Sequence, residues 1–141
     1  MLPELQLEKL AFTGWLTCAP CHAPQTDFWK KTGHSSAFQT LAEQEQQFNL
    51  DCLPCHVTAE YKDIQISENT ATLLSLPAAL QQVGCEVCHG PGKDHAASQD
   101  PAAISRKPDA NICTRCHTSE RDEEFNYDND VERIACPANK K

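Results

Sequence analysis

Four times along the chain two cysteines stand with two residues between them and a histidine follows directly: CAPCH ends at His22, CLPCH at His56, CEVCH at His89 and CTRCH at His117. With six histidines in 141 residues, four matches in four trials have a chance of about three in a million by composition alone. The repeated pattern, C-x-x-C-H, is the attachment signature of c-type haem. Two thiols at that spacing can reach the two vinyl groups on one porphyrin edge and form thioethers, while the adjacent imidazole turns under the ring to the iron. The pairs Cys18/Cys21, Cys52/Cys55, Cys85/Cys88 and Cys113/Cys116 therefore predict four covalently bound haem c groups. Their proximal ligands would be His22, His56, His89 and His117.

Other uses of paired cysteines account for less of the pattern. Zinc ribbons need two such pairs per metal and give no reason for a histidine after each second cysteine. A disulfide framework suits an exported chain but does not place the histidines either. A thioredoxin-like site uses one pair within alternating strands and helices, a pattern absent from this sequence.

Composition explains why such a chain needs haem. Leu, Ile, Val and Phe together make 26 of 141 residues, below the one-fifth share under which a highly charged chain stays disordered. Four large, flat, apolar porphyrins can act as the interior that these side chains cannot form, so the apo-chain is expected to be largely unfolded. The net charge of -8 excludes a nucleic-acid binder driven by phosphate neutralisation.

First cysteines of successive motifs are 34, 33 and 28 residues apart, so roughly thirty residues wrap each haem. The expected fold is mainly α with much irregular loop and little or no sheet, a small haem-packed multihaem cytochrome c domain over 1–141, with flexible ends at 1–11 and 137–141. Residues 27–49 read as two helical pieces broken at Gly33, with Ser35 or Ser36 at the start of the second. ATLLSLPAALQQV, 71–83, reads as a short apolar helix entered or kinked at Pro77. DHAASQDPAAISRKPDAN, with Pro101 and Pro108, reads as loop. No stretch approaches the roughly 20 apolar residues of a membrane span. The start MLPELQLEKL lacks a secretory pattern; because this haem attachment takes place outside the cytoplasm, the expected location is periplasmic or extracellular with the signal removed.

Four irons can take eight axial ligands, and six histidines allow at most two haems to be bis-imidazole. Beyond the motifs only His34 and His95 remain, and both are candidate distal ligands. The other haems must use Lys, an amino terminus, a Cys thiolate, water or an open site. Cys136, the one cysteine outside the motifs, reads as a small buried thiol, an intermolecular disulfide or a thiolate on iron.

FTGWLTCAPCH, FWKKTGHSSAFQTL, DCLPCH, VGCEVCHGPGKDH and ICTRCHTSERDEEFNYDNDVERIACP, spread over 12–137, resemble the multihaem c-type cytochromes related to tetrahaem cytochrome c-554. The resemblance implies close-packed haem pairs, His34 on the third haem, His95 on the fourth, and a second haem, on His56, that can be five-coordinate. Relatives often carry a further histidine between the second and third motifs for the first haem. Residues 57–84 contain none. Relatives also often carry a histidine near the position of Cys136.

These readings lead to an exported electron relay between donor and acceptor proteins. Propionates would add to the acidity of the chain, favouring partners with basic docking patches. Catalysis at an open haem, such as reduction of NO or a related small nitrogen species, is an alternative. So is a subunit of a multihaem complex or filament, or a homo-oligomer.

Overall fold

The computed structural model describes residues 11–47, 49, 51–58 and 77–137. Among them are short helices and turns and no strand: α1 (Trp15–Cys18), α2 (Ala23–Trp29), α3 (Ala37–Glu43), α4 (Cys85–His89), α5 (Lys93–Ser98), α6 (Ala110–Cys113) and α7 (Tyr127–Ile134). Single 3₁₀ turns cover Gly33–Ser36, Leu53–Cys55, Ala78–Leu80 and Pro101–Ala103. The fold is mainly α with irregular connections.

Breaks in the sequence set the helix ends. Gly14 enters α1 at φ +87°, and a Cβ there would sit 2.6 Å from the Ala79 Cβ, so both the left-handed backbone and the close approach require glycine. Pro24 occupies the first turn of α2, where its missing N–H costs nothing. The break predicted at Gly33 is present between α2 and α3. Ser36 stands at the N-cap of α3 without capping it, since its hydroxyl donates to the Gly33 carbonyl at 3.3 Å. Later helices are capped by side chains, Asp109 accepting from the Asn111 amide at 2.9 Å and Asn126 from the Asn129 amide at 3.2 Å.

The stretch expected as loop over 94–111 differs. It holds most of α5, the turn at Pro101–Ala103 and the start of α6. The Asp100 carboxylate caps that turn through the Ala102 amide at 2.9 Å, and the Gly92 amide that opens α5 is held by Glu86 at 2.8 Å. The second of these anchors is tertiary, and composition does not reveal it. Of the helix expected over 71–83, Pro77 and the following 3₁₀ turn are described; 71–76 lie outside the described residues, as do 1–10, 138–141 and Phe48.

The apolar interior is small. Phe12, Leu41, Leu53, Val57 and Leu80 form one buried cluster, with Phe38 and Cys52 against it. Thr58 ties this cluster to the segment entering α4: its amide donates to Leu80 O at 2.8 Å, its hydroxyl to Gln82 O at 2.7 Å, and the Gly84 amide returns a bond at 3.0 Å. The Trp29 indole donates to Val83 O at 2.8 Å. From 93 to 137 no residue is buried.

Candidate haem-binding sites

Each motif closes a tight turn that gathers its two thiols and its imidazole. In the first and fourth motifs the histidine amide donates to the carbonyl of the first cysteine, His22 to Cys18 at 3.0 Å and His117 to Cys113 at 2.9 Å. The third motif coincides with helix α4. The second is wound tighter, with His56 N donating to Leu53 O at 2.9 Å.

The imidazoles are oriented as metal ligands are. His56 Nδ1 lies 2.7 Å from Ala37 O, His89 Nδ1 2.6 Å from Ser105 O, His95 Nδ1 2.8 Å from Asp100 O and His117 Nδ1 2.8 Å from an Asp122 carboxylate oxygen. An Nδ1–H committed to an oxygen fixes the tautomer and leaves the Nε2 lone pair for a metal. Burial, then the neighbouring charge of His117, pushes the His34 pKa down. That keeps its ring neutral, the form that binds iron.

Two pairs of imidazoles face one another. His22 and His95 have ring centroids 6.4 Å apart, and His34 and His117 have theirs 6.2 Å apart. A metal–imidazole bond of about 2 Å, with the centroid about 1 Å behind the nitrogen, puts two trans imidazoles about 6 Å apart. Both pairs fit that span. The resemblance implied His34 opposite the third motif and His95 opposite the fourth; the structure instead sets His34 opposite His117 of the fourth and His95 opposite His22 of the first. The imidazole that stands opposite the first motif thus comes from beyond the third, on α5. His56 and His89 are left with no imidazole facing them.

The thiols of different motifs adjoin. Cys18 Sγ donates to Gly14 O at 3.8 Å and lies near the Cys85 thiol, an interaction that with burial drives the Cys18 pKa upward and lowers that of Cys85. Burial, then a hydrogen bond with Cys55, pushes Cys116 up to about 12. Burial, then the charges of Cys113 and Cys136, pushes Cys88 up to about 11. Motif one therefore lies near motif three, three near four, and four near two. Helix packing repeats part of the order, since α1 packs on α4 and α4 on α6.

Cys21 departs from this arrangement. The sequence treats all eight motif cysteines alike, but Cys21 is exposed whereas the other seven are partly buried. The physical reason lies in the turn after α1: Cys18, the last residue of the helix, lies near Cys85, and the chain then runs through Ala19 and the exposed Pro20 before the Cys21 amide donates back to Cys18 O at 3.3 Å. Cys21 is thus held beside Cys18 by its own motif and not by packing against another one. Leu16, two residues before Cys18, is also 58% exposed.

No disulfide joins any two of the nine cysteines, unlike a disulfide framework. Among the described residues no three His, Cys, Asp or Glu side chains converge on a metal-ion site, unlike a zinc ribbon. The acceptors Asp122, Ser105 O, Asp100 O and Ala37 O carried no signal in the sequence. Glu86, buried inside the third motif, was also missed. An acidic residue between two attachment cysteines is the one pointer that was available.

The profile of the family described as "Cytochrome c554 and c-prime" matches residues 17–90, a little over half the chain. The chain belongs to the cytochrome c554 and c-prime family. It is 26% identical over 132 residues to cytochrome c-554 of Nitrosomonas europaea, an alignment covering 83% of this chain and 54% of that protein. The chain thus spans about half the length of the curated relative it matches. The solved reduced state of cytochrome c554 from Nitrosomonas europaea shares its fold with a TM-score of 0.59 and 24% identity, over 89% of this chain and 83% of that one. Cytochromes of the c554 family are multihaem c-type cytochromes of electron transfer, with covalently bound haem c. Among the described residues no helix is long and apolar enough to cross a membrane.

Proposed function

We propose that this chain is an exported tetrahaem cytochrome that relays electrons between a donor and an acceptor protein. Haem would be bonded at Cys18 and Cys21, Cys52 and Cys55, Cys85 and Cys88, and Cys113 and Cys116, with His22, His56, His89 and His117 as proximal ligands. His95 and His34 would be the distal ligands of the first and fourth haems. The single observation that carries the reading is the pair of facing imidazole sets at 6.4 Å and 6.2 Å.

When bound, haem supplies an iron that takes up and releases one electron. The polypeptide supplies spacing and bias. Adjoining thiols order the attachment points as one, three, four, two, a row of centres and not four isolated ones. The Asp122 carboxylate on His117 Nδ1 makes that imidazole a stronger donor and favours the oxidised iron, whereas His89 and His95 meet neutral carbonyls. The -8 chain favours partners with basic patches, with docking slowed by salt.

Intact-mass measurement showing the chain plus four haems, and a reductive titration showing four one-electron centres, tests the relay. One redox-active haem or none removes it. A second reading is favoured by His56 and His89, which face no other imidazole: reduction of NO or a related small nitrogen species at such a haem. Spectra of the reduced protein unchanged by CO or NO would exclude it.

A further inference from the structure

Glu86 lies in the middle of the third motif, is 2% exposed, and holds three backbone amides, two from a segment more than seventy residues upstream and one six residues downstream. Thr13 N donates to its two oxygens at 3.1 and 2.9 Å, Gly14 N to Oε1 at 2.7 Å and Gly92 N to Oε2 at 2.8 Å. Gly14 opens α1, whose last residue is Cys18, and His22 closes its turn on Cys18 O. Gly92 opens α5, which carries His95 in its first turn. A further bond, Lys93 N to Ala11 O at 3.2 Å, runs alongside. A Cβ at Gly92 would stand 3.3 Å from Glu86 Oε2, so the glycine allows the approach.

We propose that the Glu86 carboxylate is the positioning residue for the first haem's axial pair, clamping the segments of His22 and His95 so that their rings stand one iron apart. This rests on the reading that His22 and His95 share an iron. The two histidines are 73 residues apart in sequence. The amides held by Glu86 lie one and two residues before the helix leading to the first histidine and one residue before the helix carrying the second. A carboxylate suits this task because it accepts from several N–H groups at once and donates to none. A glutamine would turn an NH₂ group toward at least one of those amides.

The test uses the full haem-loaded chain and electron paramagnetic resonance of its oxidised form, normalised to haem content. His95→Ala is the reference and should turn one low-spin haem high-spin. Glu86→Gln should move at least half of that same haem's low-spin signal to high spin and leave the signal of the His34/His117 haem unchanged, and the double variant should match His95→Ala. An unchanged spectrum in Glu86→Gln, or equal losses from both axial pairs, overturns the inference while leaving the ligation reading intact. If His95→Ala itself leaves every low-spin signal in place, the ligation reading falls and the inference with it. Should Glu86→Gln fail to accumulate, Gly92→Ala keeps the charge and crowds Oε2. It should show the same haem's conversion to a smaller degree, and no conversion overturns the proposal.

Discussion

Between Phe12 and Glu86 the chain buries Phe12, Trp29, Leu41, Leu53, Val57, Leu80 and Val83, whereas between Lys93 and Pro137 it buries no residue. Both stretches nonetheless hold short, defined helices. The first can draw on aliphatic packing, hydrogen bonds from Thr58 and the Glu86 clamp. The second has side-chain caps at Asp100, Asp109 and Asn126, an Asp122–His117 contact of 2.8 Å and stacking of Phe125 on His117 at 4.7 Å. Helices of eight residues or fewer are marginal in water without tertiary cover. On the proposed reading, porphyrin faces are the interior of the second stretch, and its order depends on haem far more than that of the first.

Cys113→Ala with Cys116→Ala gives the largest effect that this comparison foresees. Loss of the fourth attachment should abolish amide-exchange protection in α6 and α7 while residues 37–57 stay protected; equal protection in both regions would break the contrast. Next comes the aliphatic cluster. Leu80→Ala, at a fully buried position, should cost about 2–5 kcal/mol in denaturant unfolding of the haem-loaded protein. By contrast Val131→Ala, half-buried in α7, should cost about 1 kcal/mol or less. Gly14→Ala meets both a left-handed φ and Ala79, and should destabilise by about 1–3 kcal/mol in the same assay.

Smaller shifts sharpen the second region. Asp122→Asn removes the charged partner of His117 and should raise the midpoint potential of one haem without converting it to high spin. A titration superimposable on the wild type would deny Asp122 that role. Last, Cys136 should be the one thiol per chain that alkylates in the haem-loaded protein. Its sulfur is partly covered although the residue is exposed, and this burial, the larger cause, pushes its pKa up and persists when Cys85 is bonded to haem. The rate should therefore lag behind that of a free cysteine at pH 8 and climb as pH passes the ordinary thiol range.

The helical break at Gly33 was legible because glycine between two aromatic-rich runs has a local cause. The α5 segment was misread as loop because Pro101 and Pro108 punctuate the stretch that follows it, and its start is held by Glu86 six residues upstream, a side-chain bond that neither composition nor periodicity signals. The histidine pairing differs from the resemblance for a related reason. The family resemblance implied the third haem for His34 and the fourth for His95, but which rings stand near each other follows from which turns come back together. Nor did the motif distinguish the exposed Cys21 from its partly buried counterparts, because exposure depends on what packs against each turn and the four turns have the same spacing.

Spacing alone determined the attachment chemistry that can be read here, because thioether reach and the adjacent imidazole are matters of a few covalent bonds. Counting alone set the ceiling of two imidazole pairs. Which histidines meet across a metal's width, and in what order the motifs lie, was decided by tertiary packing. Around the first motif, the buried Glu86 carboxylate joins segments 73 residues apart, and no periodicity in the sequence encodes such an approach.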